Sequence, residues 1–234
     1  MQLTVRQVAK LFSVSENTVT RWVLEENLPA HDVKSQYRFD RAELLEWAAT
    51  KHRPFSPTIF QEINGDHVAD VSLADALGRG GVALRVGGDD RYEVFRAAIA
   101  DLPLPAAFDR DNLLDLLMAR EKSGGTAVGH GIAIPHPRYP VVLPGGDSVV
   151  RVAYLDQPLD YKAADGKPVD TLFLMICPTV HLHLQLLARL SCVLQSADFR
   201  KLLQSHPDKT RLVSAVRAKE AAFAESRDLA TNES

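Results

Sequence analysis

A histidine held between two prolines, in the stretch GHGIAIPHPR of residues 129–138, constrains the local fold more than any other feature of this sequence. Proline disfavours the helical region for the residue before it, so Ile134 and His136 are predicted to be extended. Pro135 and Pro137 donate no backbone hydrogen bond, which places the segment at a strand end or sheet edge that opens into a loop. The sequence therefore predicts a restrained and accessible imidazole that lies outside any helix.

Such an imidazole suits nucleophilic or proton-transfer chemistry, because histidine titrates near neutral pH. For one histidine taken alone, a surface position in a proline-rich turn is the simpler interpretation. The remaining features of the sequence have to decide between these two readings of His136.

The composition is that of an ordinary globular protein, with 46% hydrophobic and 24% charged residues in a chain of 234. We expect a cytoplasmic protein, since neither a signal peptide nor a membrane-spanning run is present. Cys177 and Cys192 lie in apolar runs and form no CxxC pair, which favours core thiols in a reducing compartment. The net charge of −3 gives no general attraction to nucleic acid, so DNA binding requires a local surface.

A domain boundary is predicted at residues 52–57, where two prolines separate regions of different patterning. We divide the chain into an N-terminal domain at 1–52, a linker at 53–65 and a second domain at 66–225. The polar residues 226–234 are expected to form a disordered tail.

The N-terminal domain has the pattern of two short helices, a hairpin and a third helix. Thr4 is a plausible N-cap of the first helix, and Ser15 begins the second. Residues 33–39 alternate like a small hairpin or wing, and Asp40 with Glu43 forms a capping-box-like start to the third helix. Two helices with a tight turn, followed by a wing, make a helix-turn-helix unit.

The segments LTVRQVAKLFSVSENTVTRWVLEENLPAH and YRFDRAELLEW resemble the excisionase-type winged helix-turn-helix domain, which is related to the MerR group. The resemblance implies a recognition helix from Ser15 to about Glu25. Its implied DNA-contacting residues are Asn17, Thr18, Thr20 and Arg21 on that helix and Lys34 and Arg38 on the wing. Acidic residues on and beside the helix weaken attraction to phosphates, so a dimerisation or docking module remains the alternative.

The second domain alternates helical and strand-like segments. Helices are predicted at 73–77, 93–99, 110–122, 183–194 and 210–223, and strands at 127–134, 148–155 and 169–176. Strands rich in valine and isoleucine among amphipathic helices predict an α/β fold in which helices flank a mixed sheet.

A second candidate histidine, His183, lies close to the start of a predicted helix. The backbone N–H groups and positive dipole of a helix N-terminus favour an anion, so this histidine is expected to contribute to an anion site. The alternative is a histidine that caps or packs locally. His181 has no defined role.

Neither a metal nor a cofactor is predicted. His130 and His136 on one extended strand would be about 20 Å apart, too far to share an ion. His136 with His181 or His183 is geometrically compatible with a metal, but no carboxylate or cysteine sits at ligand spacing beside them. No GxxxxGK[ST] loop is present.

The ordered segments REK at 120–122, GTAVGHGIAIPH at 125–136 and HLQLL at 183–187 resemble the enzyme IIA domain of the phosphotransferase system, of the fructose/mannitol type and particularly its nitrogen-regulatory branch. The resemblance implies that His136 accepts a phosphoryl group from a small histidine phosphocarrier protein. It implies that His183 contacts the phosphate and that Arg120 stabilises its charge. Thr126 and Arg138 are candidate further donors.

The predicted function is a regulatory phosphohistidine carrier, rather than a stand-alone enzyme, whose IIA-like domain is coupled to a DNA-binding module. We expect a shallow, exposed site, since the phosphoryl group passes between proteins. The main alternative is a DNA-binding or protein-interaction regulator whose IIA domain no longer carries phosphate. A sugar-specific transport component is less favoured, because no IIB-like or membrane region is evident.

Overall fold

The computed structural model describes residues 2–33, 36–51 and 71–232. The N-terminal domain begins with a short strand, β1, that the sequence does not predict. Its elements are β1 (Gln2–Thr4), α1 (Val5–Leu11), α2 (Glu16–Glu25), β2 (His31–Val33), β3 (Gln36–Asp40) and α3 (Arg41–Thr50). Strand β3 pairs antiparallel with β1 on one side and β2 on the other, so the predicted wing is part of a small sheet.

Local capping determines where the first helices begin. Thr4 and Gln7 form a reciprocal capping box at the start of α1, and the Ser15 hydroxyl accepts a bond of 3.1 Å from the Thr18 N–H at the start of α2. The predicted starts of these two helices are confirmed.

Three aromatic rings fix the third helix against the first two. The ring centroid of Trp47 lies 5.3 Å from that of Trp22 and 6.2 Å from that of Phe12. The Trp47 indole N–H also donates to the Glu26 carbonyl at 3.1 Å. This packing sets which face of α3 is turned away from its own domain.

The second domain contains a mixed sheet covered by helices, which confirms the predicted fold class. Its elements are α4 (Leu73–Gly80), β4 (Val82–Val86), α5 (Arg91–Ala100), α6 (Arg110–Lys122), β5 (Ala127–Gly129), β6 (Ile132–Ala133), β7 (Val149–Leu159), β8 (Val169–Ile176), α7 (Val180–Gln195), α8 (Ala197–Leu203) and α9 (Lys209–Asn232). In the described residues the strand order is β4-β7-β8-β6-β5. The β4/β7 and β6/β8 pairs are parallel, whereas β7/β8 and β5/β6 are antiparallel.

Each face of this sheet is covered by its own apolar core, because successive strand residues point to opposite sides. On β7, Val152 packs with the helices α4, α7 and α9, whereas Ala153 packs with α5 and α6. The first of these cores continues into the N-terminal domain, where it includes Leu44 and Ala48 of α3. The two domains therefore share one apolar cluster, and α3 contacts α7 and β5.

The last helix is tied back to the first helix of this domain through a carboxylate. Glu220 accepts hydrogen bonds from the N–H groups of Leu73 and Ala74 and is paired with Arg189. An anion at a helix N-terminus is favourable, so Glu220 caps α4 from α9.

The predicted strand at 127–134 is wrong, because it is a hairpin. His130 and Gly131 form a two-residue turn between β5 and β6, with φ of 56° and 77°. Two successive positive φ values are typical of the type I′ turn, whose twist matches that of the flanking strands. The sequence Gly-His-Gly supplies that turn.

The chain also departs from the predicted disordered tail, since α9 continues to Asn232. Residues 209–232 contain neither glycine nor proline, so no helix breaker ends it earlier. The sequence did not indicate β4 or α8, and α7 begins at Val180, three residues before His183. The predicted linker 53–65 and Lys34 lie outside the described residues. Among the described helices, none is long and apolar enough to cross a bilayer.

Candidate functional site: a histidine at the junction of the two domains

His136 follows the short strand β6 and is held by backbone bonds on both sides. The Ile134 N–H donates to the Thr126 carbonyl, and the Pro135 carbonyl accepts from the Met175 N–H, each at 2.9 Å. These bonds keep the segment in line with the sheet although its two prolines donate none. The residue lies outside any helix, as predicted.

A hydrogen bond within this segment determines the tautomer of the ring. Nδ1 of His136 lies 2.7 Å from the carbonyl oxygen of Ile134. A carbonyl only accepts, so Nδ1 carries the proton and donates. In the neutral ring the lone pair is therefore on Nε2.

Arg120 reaches that nitrogen from the last turn of α6. Its Nε–H donates to His136 Nε2 at 3.2 Å, and its Nη1 donates to the Gly124 carbonyl, also at 3.2 Å. The guanidinium is thereby oriented by the chain just after its own helix. The structure brings these two predicted site residues together.

Glu121, the next residue, turns into the interior. Its side chain accepts a bond of 2.6 Å from the Thr126 hydroxyl and pairs with Arg91 at 3.1 Å. These contacts fix the end of α6 against β5 and so position Arg120. Glu121 follows Leu117 by four residues and Met118 by three, so it lies on the apolar face of α6. A carboxylate at such a position could have been recognised in the sequence as a buried one.

His183 lies beside the His136 ring. It is the fourth residue of α7, and its ring centroid is 4.7 Å from that of His136 at an angle of 42°. Burial lowers the pKa of His183 to about 3, and the charges of His136 and Arg120 act in the same direction, against Glu46. His183 is therefore neutral at physiological pH and offers one ring N–H and one lone pair.

A carboxylate that no sequence motif indicated completes the cluster. Glu46 of α3 belongs to the N-terminal domain, yet its Oε1 lies 2.9 Å from His136 Nε2 and its Oε2 accepts from Arg120 Nη2. Burial alone would raise the pKa of Glu46, but the hydrogen bond to His136 and the charges of His136 and Arg120 outweigh it and lower the pKa to about 2. The side chain is ionised.

The expectation of an accessible, shallow site is wrong for this arrangement of the domains. The His136 ring is only 4% exposed, because Glu46 covers Nε2 from the neighbouring domain while Arg120 and His183 flank it. The ring nevertheless borders a cleft of about 710 Å³ whose walls come from both domains. The closure at Nε2 is contributed by α3.

The sequence predicted no carboxylate beside these histidines, and this is wrong. Glu46, His136 and His183 each offer one possible metal-ligand atom, and these three atoms lie within 4.8 Å of one another. Two imidazoles and a carboxylate are donors that Zn²⁺ accepts. However, the Arg120 guanidinium donates to both Glu46 and His136. A positive charge therefore already lies against two of the three groups, and the arrangement is better described as an ion-pair network.

Other candidates have different surroundings from those expected. The Thr126 hydroxyl donates to Glu121 rather than to the ring, and Arg138 is exposed at the cleft. His130 lies in the β5–β6 turn, where its backbone N–H donates to Asp165 at 2.7 Å. The Nε2 of His181 is buried and has no hydrogen-bond partner among the described residues.

The predicted DNA-contacting residues other than Lys34 lie on α2 and β3. Asn17 and Arg21 of α2 are exposed, and Thr18 and Thr20 are partly so. Thr20 bonds the Glu16 carbonyl, and Arg38 of β3 donates to Gln36 at 2.7 Å. Docking onto the second domain leaves these side chains of α2 on the surface.

Two known family models match separate parts of the chain. Residues 79–219 match the family model described as phosphoenolpyruvate-dependent sugar phosphotransferase system, EIIA 2. Residues 3–52 match the model described as a helix-turn-helix domain.

Similar proteins have related descriptions. A nitrogen regulatory protein of Pseudomonas aeruginosa is 37% identical over 151 residues, which are 62% of this chain and 95% of that protein. The fructose-specific EIIA component of Haloferax volcanii is 38% identical over 105 residues, which are 44% of this chain and 66% of that protein.

Solved structures show the same fold. The nitrogen regulatory protein IIA-Ntr of Neisseria meningitidis superposes with a TM-score of 0.50 at 24% identity, covering 58% of this chain and 91% of that one. A IIA domain of Streptococcus pyogenes gives a TM-score of 0.51 at 17% identity, covering 64% and 97%. The chain thus belongs to the EIIA 2 family of the phosphoenolpyruvate-dependent sugar phosphotransferase system, with a helix-turn-helix domain ahead of its IIA domain.

Proposed function

We propose that Nε2 of His136 accepts a phosphoryl group from a histidine phosphocarrier protein, and that the chain acts as a regulator of the nitrogen-regulatory type. The observation that carries this proposal is that the tautomer of His136 is fixed by a hydrogen bond and that the Arg120 guanidinium points at its other ring nitrogen. Nδ1 donates to Ile134, so the lone pair is on Nε2, and Arg120 Nε lies 3.2 Å from that nitrogen.

In this reaction the Nε2 lone pair attacks phosphorus while the bond between phosphorus and the donor's imidazole nitrogen breaks. The donor ring takes back the electron pair, and no net proton transfer is needed. Arg120 neutralises charge on the phosphoryl oxygens, and the neutral His183 offers a ring N–H to one of them. Little covalent work remains for the protein beyond positioning.

The rim of the cleft supports a protein as the donor. Tyr139 and Val180 line the cleft and are 69% and 51% exposed. Large apolar side chains exposed together beside a reactive group are typical of a protein-docking surface.

The free thiols Cys177 and Cys192 fit a reducing compartment, and we place the reaction in the cytoplasm.

The test is incubation of the full chain with phosphoenolpyruvate, enzyme I and a histidine phosphocarrier protein. We expect acid-labile phosphate on the wild type and on His130→Ala, the control for an exposed histidine of the same domain, but none on His136→Ala. Label that persists in His136→Ala would show that another residue is the acceptor.

A second function, regulation without phosphoryl transfer, is favoured by one observation. Nε2 of His136 is covered by the Glu46 carboxylate, as expected for a site that has become a permanent interdomain contact. Under this alternative no variant of the chain takes up phosphate. The phosphorylation assay separates the two functions.

DNA binding is the proposed role of the N-terminal domain. The exposed Asn17 and Arg21 and the partly exposed Thr18 and Thr20 lie on α2, the second helix of the helix-turn-helix domain, and Arg38 lies on β3. The second helix of such a domain is the one that enters the major groove in DNA-binding members. We propose that they contact DNA together with Lys34. Selection from random duplexes should yield a preferred sequence for the wild type and lose it for Arg21→Ala, while Lys10→Ala serves as a basic control outside α2.

A further inference from the structure

The Glu46 carboxylate contacts the two groups that phosphoryl transfer to His136 requires. Its Oε1 lies 2.9 Å from Nε2 of His136, where the new nitrogen–phosphorus bond has to form. Its Oε2 accepts from Arg120, the cation expected to neutralise the phosphoryl oxygens. One anionic group thus bridges the nucleophile and its charge-stabilising partner, as an incoming phosphoryl group would.

The contact also closes the approach to the nucleophile. Nδ1 donates to Ile134, so Nε2 is the ring nitrogen that has to attack phosphorus, and Glu46 Oε1 lies 2.9 Å from it. Attack along that direction therefore requires Glu46 to move away, whereas Arg120 Nε, 3.2 Å from Nε2, can stay beside the ring.

A phosphoryl group and Glu46 exclude each other for electrostatic reasons as well as steric ones. A phosphoryl group adds close to two negative charges. Placed on Nε2, it would face the carboxylate directly and compete with it for Arg120. Like charges at that distance in a half-buried site repel strongly.

We propose that Glu46 of the N-terminal domain occupies the place of the incoming phosphoryl group. In the unphosphorylated protein Glu46 covers Nε2 of His136, and phosphorylation of Nε2 displaces Glu46 and α3 from the IIA domain. This inference rests on the proposed function and adds its regulation. The partner that the site fits is a carboxylate of the same chain, delivered by a helix that shares the apolar cluster of the second domain.

The released surface is the one between the domains, rather than the DNA-facing helix. Asn17 and Arg21 are exposed while Glu46 is seated, so α2 does not need to be uncovered. What changes on phosphorylation is the position of the N-terminal domain relative to the IIA domain. Phosphorylation is thereby read out as a change in domain arrangement.

The first experiment measures initial rates of phosphoryl transfer to the full chain. Glu46→Gln removes the charge that holds His136, whereas Glu43→Gln removes a charge one turn away that pairs with His31 of its own domain at 3.0 Å. We expect Glu46→Gln to accept phosphate at least about tenfold faster than the wild type. Glu43→Gln should stay within about twofold of the wild type.

The outcomes are separable. Equal rates for the wild type and Glu46→Gln overturn the covering role of Glu46 but leave His136 as the acceptor. Absence of label on every variant, Glu46→Gln included, overturns the proposed function and this inference with it.

The second experiment follows hydrogen–deuterium exchange in α3 and α7. Exchange at their contact should increase when the wild type is phosphorylated, and it should not change when His136→Ala is treated in the same way. Phosphorylated wild type with unchanged exchange in both helices contradicts the release of α3.

Discussion

Nδ1 of His136 and the carbonyl oxygen of Ile134 lie 2.7 Å apart, and this bond decides which ring nitrogen is free to react. Because Nδ1 is the donor, we predict that phosphate is attached to Nε2. Nitrogen-15 and phosphorus-31 NMR of the phosphorylated protein distinguishes the two isomers through the nitrogen that couples to phosphorus. Phosphate on Nδ1 would require the segment around Pro135 to rearrange.

Arg120 is predicted to act on the transition state. Replacing it with alanine removes the donor aimed at Nε2, and we expect the rate of phosphoryl transfer to fall by about 100-fold or more. Arg120→Lys should recover only part of the rate, since a point charge does not reproduce the fork of a guanidinium. Lys122→Ala, at the end of the same helix, is the control and should retain the wild-type rate.

The buried carboxylate of Glu121 is predicted to support stability. It is 2% exposed and pairs with Arg91, so Glu121→Ala should lower the free energy of unfolding by about 3 kcal/mol. Asp156, 46% exposed and paired with Arg85, is the contrast. Asp156→Ala should change that free energy by less than about 1 kcal/mol. Urea denaturation measures both, and a similar effect of the two substitutions would contradict the role of burial.

His183 is predicted to make stability rise with pH. Its pKa is about 3 in the folded protein and 6.5 as the reference for the unfolded chain, so the unfolded state binds the extra proton between these values. At pH 5 this amounts to about 2 kcal/mol of lost stability relative to neutral pH. Denaturant unfolding at pH 5 and pH 7 should show a smaller difference for His183→Gln than for the wild type. Equal pH dependence in the two proteins contradicts the shift.

The β5–β6 turn is predicted to require glycine at position 131. Gly131 has φ of 77°, and an added Cβ would lie 3.3 Å from Asp170 Oδ1. Gly131→Ala should therefore lower the melting temperature, at a cost of about 1–2 kcal/mol. Gly87 has open space around it, and Gly87→Ala is the control that leaves the melting temperature unchanged. Equal melting temperatures for both variants would argue against the strained turn.

The sequence predicted those helices and strands whose ends are marked by capping residues or by a continuous apolar run. Helix α6 begins after the Asp109 cap and ends at Lys122, as expected, and β8 spans the predicted residues 169–176. The hairpin was missed because Ala127 to Ile134 is apolar apart from His130, and only the short Gly-His-Gly turn separates its two strands. Strand β1 is three residues long and depends on pairing with β3, which no local pattern reveals.

The residues of the candidate site also fall into two groups, those that motifs indicated and one that depends on the packing of the domains. Motif spacing pointed to Arg120, His136 and His183, and the structure brings the three side chains together. Glu46 could not be found by such means, since it lies 90 residues before His136 and its position depends on how α3 packs across the domain junction. A glutamate on a helix of a DNA-binding module is ordinarily a solvated charge.

Glu46 and His136 belong to one polypeptide, so the carboxylate reaches the ring as a tethered group rather than by diffusion. Tethered groups act at effective concentrations of about millimolar. In the mechanism that we propose, a diffusing phosphoryl donor has to compete against that fixed local concentration, which does not depend on how many copies of the chain a cell makes. The donor concentration needed to release α3 would then be set by the contact between the domains and not by the expression level of the chain.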